Sequence, residues 1–173
     1  MTDPDLRPLS LRVTTTSAEH TRALAAALAP AAQAGDRLAL VGPLGAGKTQ
    51  FAKGFAVGLG IDDVVNSPSF TLMAEYEGRL RLFHQDLYRL EGADEILAGG
   101  LLDERQDDGV TLSEWADRLD AQLDPARLTV AIEPTGADAR DIEMSGHGDI
   151  ARRYLEAAAA WRLAAADTGM VQR

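Results

Sequence analysis

The run Gly42-Pro43-Leu44-Gly45-Ala46-Gly47-Lys48-Thr49 constrains this chain more than any other stretch of it. It fits the pattern G-x-x-x-x-G-K-[ST] in full, and each residue type has a physical task there. Glycines let the backbone curl until successive N–H groups point inward at phosphate oxygens. A helix opening near Lys48 adds its positive N-terminal end. Lys48 can reach the β- and γ-phosphates of a nucleotide, and the Thr49 hydroxyl can ligate Mg²⁺. The flanks agree with this reading. Arg37 to Val41 is a short apolar run that reads as a buried strand, and Phe51, Phe55 and Leu59 recur at the four-residue spacing of a helix packing on a sheet. Gly54 and Gly58 each cost that helix about 1 kcal/mol relative to Ala, which points to close packing against a neighbour.

The rest of the chain fits around this unit. At 173 residues it is long enough for one domain with a continuous core. Thr16 and Glu19 have the spacing of a capping box, and the Ala-rich run to about Ala29 reads as a helix with Leu24 and Leu28 on one face. Pro30 ends or kinks it. Ser69 to Glu75 and Arg79 to Gln85 read as strands around the turn Tyr76-Glu77-Gly78. Further strands are expected at Val110 to Ser113, Leu128 to Glu133 and Asp141 to Met144. An acidic helical stretch is expected from Glu91 to Asp108, and a tail helix from Asp149 to Ala166 with Ile150, Tyr154, Ala157 and Trp161 on one stripe. The alternation predicts a single α/β domain of the P-loop NTPase type, its central mostly parallel sheet carrying an antiparallel hairpin and helices on both faces. Residues 1–13 read as an N-terminal tail and first strand, 14–148 as the ATPase domain, and 149–173 as a C-terminal helix and tail packed on the same domain.

Composition limits the partners. The formal net charge is −10, and lysine occurs only at 48 and 53, with the arginines scattered. A protein gripping nucleic acid by its phosphates needs clustered cations, because counterion release supplies most of that affinity. If the chain acts on RNA, another component does most of the holding. There is no cysteine, hence no disulfide, thiolate zinc site or cysteine nucleophile. No apolar run reaches the roughly 18 residues of a membrane span, and Met1 to Ser10 lacks the apolar centre of a secretory signal. No membrane association is expected, and the cytoplasm, where ATP is available, is the expected location.

A phosphate loop needs a carboxylate for its metal or its water. Leu80, Leu82, His84 and Asp86 share one face of a strand by period-two alternation, as do Val110, Leu112 and Glu114 of another. Apolar residues leading up to an acid describe a buried strand delivering it to a site. Asp86 and Glu114 are therefore the candidates, with Glu114 expected at the carboxyl end of a parallel strand, where open α/β sheets bind ligands. His84 reads as a structural histidine. Trp115 fits either a place near the nucleotide or a place in the core. Ser67 to Leu72, rich in hydroxyls, is a candidate switch sensing the γ-phosphate. The single asparagine, Asn66, does not begin an NKxD guanine-reading motif, and no D-x-x-G is present, which argues against a Ras-like GTPase. A small-molecule kinase, using Arg89, Arg105 and Arg118 as a lid, and a nucleotide-gated binding module stay open as alternatives.

Four motifs in order, Gly42 to Thr49, Ser67-Pro-Ser-Phe-Thr-Leu72, His84-Gln-Asp-Leu-Tyr-Arg89 and Glu114-Trp115, resemble the bacterial TsaE family. Gly136-Ala-Asp-Ala-Arg140 resembles its late Gly…Arg signature, and the likeness covers about Thr14 to Gly146. Pro43 stands where the family is usually acidic, and Ser69-Phe70 where it usually has Thr-Tyr. The resemblance implies an ATPase of tRNA threonylcarbamoyladenosine synthesis that binds ATP or ADP with Mg²⁺. It implies work alongside TsaD and TsaB, with tRNA reached indirectly through that complex. It also implies Leu44, Gly45, Ala46, Gly47, Lys48 and Thr49 around the phosphates, Ala18 and Gly136 near the nucleoside, and Thr49 and Glu114 on the metal. Lys48, Asp86 and Glu114 would carry the chemistry.

Overall fold

The computed structural model of the chain describes residues 7–68, 71–88, 90, 104–116 and 126–167. Its strands are β1 (Leu9–Thr15), β2 (Arg37–Val41), β3 (Met73–Tyr76), β4 (Arg81–Asp86), β5 (Gly109–Glu114), β6 (Leu128–Pro134) and β7 (Arg140–Gly146). The helices are α1 (Ala18–Leu28), α2 (Lys48–Gly58) and α3 (Gly148–Asp167), with 3₁₀ turns at Ala29–Ala31 and Glu104–Asp108. All seven strands join one sheet in the order β1-β7-β6-β2-β5-β4-β3. The central four, β6-β2-β5-β4, are mutually parallel, as expected of a P-loop sheet. Strands β3 and β4 form the expected antiparallel hairpin, and β7 and β1 extend the other edge in antiparallel pairs. Interior parallel strands are covered on both faces and so read as continuous apolar runs; β5 is buried at every position.

One face of the sheet holds the main core. Val13, Leu38, Leu40, Leu82, Leu112 and Ile142 meet Leu24 and Leu28 of α1, Phe51 and Phe55 of α2, and Tyr154 and Ala158 of α3 in a single cluster. The three described helices therefore share this core, and α3, which packs on β1, β7 and α1, belongs to it. Most of the helix expected at 91–108 lies outside the described residues, and its last part, Glu104–Asp108, is a 3₁₀ turn. No described helix is long and apolar enough to cross a membrane.

Several local expectations shift. Strand β1 runs to Thr15, past the boundary expected at residue 13, because its whole length pairs with β7. The cap of α1 is Ser17 rather than Thr16: its hydroxyl accepts from the His20 amide at 3.0 Å, while the Thr16 amide donates to His20 Nδ1 at 3.1 Å. The Thr16–Glu19 capping box is thus not the one used. Strand β3 begins at Met73 rather than Ser69, since Leu72 takes φ of 66°, which breaks extended structure. Pro30 does end its helix, inside the 3₁₀ turn.

Helices α1 and α2 touch backbone to backbone. A Cβ at Gly54 would lie 2.2 Å from the Arg22 carbonyl oxygen, and one at Gly58 would lie 2.4 Å from that of Ala26. The two glycines and the two carbonyls are both four residues apart, one helical turn, so the contact repeats along the interface. At the amino end of β2, Asp36 anchors α3. Its carboxylate accepts from Arg153 through two nitrogens at 2.8 and 2.9 Å, from the Tyr154 hydroxyl at 2.8 Å and from the Gln33 amide at 2.9 Å. The bond to Asp36 holds the Arg153 guanidinium above its ordinary range. Burial, then the Asp36 charge, pushes the Tyr154 phenol well above its ordinary value.

Candidate active site

Strand β2 runs directly into the glycine loop, and three glycines shape it. Gly42 has φ of 151°, and a Cβ there would lie 2.3 Å from the Ile132 carbonyl of β6, so the loop leans on bare backbone. Gly45 and Gly47 take φ of 77° and 107°, conformations side chains resist, and Gly47 caps α2 without a side chain. The turn closes through the Ala46 amide on the Pro43 carbonyl at 3.1 Å. Pro43, lacking an N–H, serves here as an acceptor. Lys48, 5% exposed, folds back along the loop and donates to the carbonyls of Gly42 at 2.6 Å and Pro43 at 2.8 Å. Its ammonium also lies 3.8 Å from the centre of the Trp115 ring, a cation–π contact.

The two acids arrive side by side. The parallel register pairs Asp86 of β4 with Glu114 of β5, and Glu114 with Leu40 of β2, so both carboxylates stand at the carboxyl ends of central strands. Glu114 is 2% exposed and accepts from the Thr49 hydroxyl at 2.8 Å through Oε1, while its Oε2 lies 2.6 Å from His84 Nε2. Asp86, 4% exposed, accepts from the Ser67 hydroxyl and, at 3.0 Å, from the Tyr88 amide. Trp115 takes φ of 58°, unusual for a bulky residue and costing about 1–3 kcal/mol. That turn sets its ring over Lys48, with the Tyr88 ring 4.9 Å away.

These groups border a cavity of about 480 Å³ whose lining includes Leu44, Gly45, Gly47, Lys48, Thr49, Ser67, Asp86 and Glu114. Its size suits a small-molecule ligand. Beyond the loop a second cavity of about 120 Å³ is lined by Ala18, Gly45, Gly47, Gln50 and Arg140. Arg140 ties this side together, donating to the carbonyls of Ala46 at 2.8 Å, Gly45 at 3.2 Å, Ala139 at 2.8 Å and Gly136 at 3.3 Å. Of the residues read from the sequence, Lys48, Thr49, Asp86 and Glu114 come together in the large cavity, with Leu44, Gly45 and Gly47 on its rim. Ala46 is buried in the loop, Ala18 lines the small cavity, and Gly136 is joined to the loop through Arg140. His84 also bonds to Glu114 and Ser67 to Asp86. Both are side-chain contacts across strands or loops that no local pattern encodes. Trp115 proves to line the site and to pack with Leu87 and Leu90 as well.

The donor set fits the groups the sequence implies. A hydroxyl and a carboxylate oxygen 2.8 Å apart, beside a second acid, are hard oxygen donors suited to Mg²⁺. The glycine backbone at 42, 45 and 47 leaves room where any Cβ would clash or strain, as a phosphate cradle requires.

Residues 15–142 match the family model described as threonylcarbamoyl adenosine biosynthesis protein TsaE. The chain belongs to the TsaE family. A Bacillus subtilis (strain 168) relative named tRNA threonylcarbamoyladenosine biosynthesis protein TsaE is 46% identical over 140 residues, 80% of this chain and 87% of the relative. A Treponema pallidum (strain Nichols) protein of the same name is 34% identical over 135 residues, 78% of this chain and the whole of the relative. Among solved structures, the crystal structure of Bacillus subtilis YdiB is similar with a TM-score of 0.72 at 39% identity, covering 89% of this chain and 97% of that one. The stretch matched by the TsaE model runs from the end of β1 into β7 and so contains both cavities, whereas α3 lies beyond it.

Proposed function

We propose that this chain is the Mg²⁺-dependent ATP-binding and ATP-hydrolysing subunit needed to threonylcarbamoylate the adenosine beside the anticodon in tRNAs that read codons beginning with A. It would act in the cytoplasm with TsaD- and TsaB-type partners and turn over ATP appreciably only with them. The observation that carries this reading is the convergence of the glycine loop, Lys48, Thr49, Asp86 and Glu114 on one cavity, in a chain of the TsaE family. The net charge of −10 fits a subunit that leaves the tRNA to its partners.

In this reading ATP lies with its phosphates along residues 44–49 and its nucleoside toward Ala18 and Gly136. Lys48 exchanges the carbonyls of Gly42 and Pro43 for phosphate oxygens as the nucleotide enters. Thr49 and Glu114 would hold Mg²⁺, which would supply charge to neutralise the phosphates. As water attacks the γ-phosphate in line, Lys48 and the loop amides stabilise the charge that develops. Asp86 orients that water, and its bond to Ser67 couples the 67–72 segment to the state of the nucleotide. Lys48→Ala tests the proposal in reconstituted tRNA threonylcarbamoylation with the cognate partners. We expect multi-turnover modification to fall about 10²-fold or more, the scale for losing one preorganised donor to developing charge. Equal turnover by both proteins overturns the assignment. A Glu114→Gln variant that stops hydrolysis yet modifies tRNA at the wild-type rate would favour a nucleotide-gated binding module instead.

A further inference from the structure

His84 is fully buried in β4, among strand neighbours Leu82 and Leu112 that are equally buried and apolar. An imidazole in such a place is costly unless its nitrogens are satisfied. Here one is and one is not: Nε2 lies 2.6 Å from Glu114 Oε2, whereas Nδ1 is buried without a hydrogen-bond partner among the described residues. A histidine kept only to fill the core would be better replaced by a leucine, which leaves no orphaned nitrogen. Among the described residues, the side-chain bond that His84 makes goes to the acid that also accepts from Thr49. The two oxygens of Glu114 are therefore held by different partners, Oε2 by His84 and Oε1 by Thr49. A carboxylate torsion is soft, with broad and roughly two-fold preferences, so the imidazole fixes which oxygen faces the cavity.

We propose that His84 is a positioning residue that holds Oε2 of Glu114 inside the sheet and presents Oε1, beside the Thr49 hydroxyl, as the metal-facing oxygen. This inference rests on the Mg²⁺ site proposed above. Hydrogen bonds that orient a ligating group typically change metal affinity about 10- to 100-fold.

The test measures metal affinity apart from turnover, with Mn²⁺ as a spectroscopic stand-in for Mg²⁺. Mn²⁺ is titrated into the full chain with ADP and followed by electron paramagnetic resonance, for wild type, His84→Leu, His84→Asn and His84→Gln. The glutamine amide can stand near the Nε2 position and reach Glu114; asparagine is polar but too short, and leucine cannot donate. We expect His84→Leu and His84→Asn to weaken Mn²⁺ binding about tenfold or more, with His84→Gln restoring most of it. Affinity for ADP in EDTA, measured by calorimetry, should be the same in all four. Asparagine keeps the test usable if the leucine variant does not fold. Wild-type affinity in His84→Asn, equal losses in Asn and Gln, or a matching loss of metal-free ADP affinity overturns the positioning role. A wild type that binds no Mn²⁺ with ADP overturns the metal site itself, and this role with it.

Discussion

Replacing Gly54 by alanine tests whether the glycine loop is held by the close contact of α1 and α2. The new Cβ would lie 2.2 Å from the Arg22 carbonyl oxygen, 2.6 Å from its Cα and 2.7 Å from its carbonyl carbon, where ordinary contact begins at 3.4 Å. All three atoms are backbone, so no side chain can swing aside, and the helices must part by about 1 Å. A gap of that order forfeits about a quarter to a half of each dispersion contact across the seam, which includes Leu24, Leu28, Phe51 and Phe55. Overpacking of this kind costs about 1–3 kcal/mol, with backbone clashes at the upper end. The gain in helix propensity offsets about 1 kcal/mol. The net loss of about 2 kcal/mol corresponds to a fall of about 4–8 °C in Tm for a chain of this length. Differential scanning calorimetry reads it directly, with Val57→Ala as the control on the same helix, at a site 67% exposed. Because α2 begins with Lys48 and Thr49, the same variant should also bind Mg·ADP more weakly. A Gly54→Ala protein melting at or above the wild-type temperature would falsify the argument that this contact sets the helix spacing.

Two further outcomes follow from other parts of the structure. The Tyr154 phenol is pushed up by burial, so the native state keeps its proton at pH values where the unfolded chain, titrating near about 10, has lost it. Its contribution is therefore whole below about pH 10 and is lost as pH rises toward the folded value. Tyr154→Phe should lower Tm at neutral pH, through the lost bond to Asp36 at 2.8 Å, yet decline less steeply above about pH 10; parallel Tm–pH curves would refute this. Trp115 and Trp161 are the two tryptophans, so Trp161→Phe leaves Trp115 as the single reporter. Mg·ADP should change its fluorescence as Lys48 leaves the ring, and Lys48→Ala should abolish that response; a signal indifferent to nucleotide would count against the movement of Lys48.

Much of this was legible in the linear chain because it depends on local chemistry. The glycine spacing, the strand before it and the helix after it are set by φ preferences and by periods of two and 3.6 residues, which neighbours in sequence impose on one another. Alternation likewise placed Asp86 and Glu114 each at the end of a buried strand, and Gly54 and Gly58 signalled close packing through their cost to the helix. The cap of α1 is ambiguous by one residue in the sequence because Thr16 and Ser17 offer the same hydroxyl. His20, one turn on, decides between them by binding Thr16 and leaving Ser17 to cap.

Sequence order alone thus determined that the chain holds a glycine loop between a strand and a helix, followed by two acids on strands. Only the assembled sheet decided that those acids stand together, because their pairing is a register between β4 and β5, and Glu114 meets Thr49 from a strand that lies far away along the chain. The same holds for His84 behind Glu114, for Trp115 over Lys48 and for Arg140 across the loop. Each is a contact between elements, and its energy depends on distance and burial in three dimensions, quantities that no spacing along a chain contains.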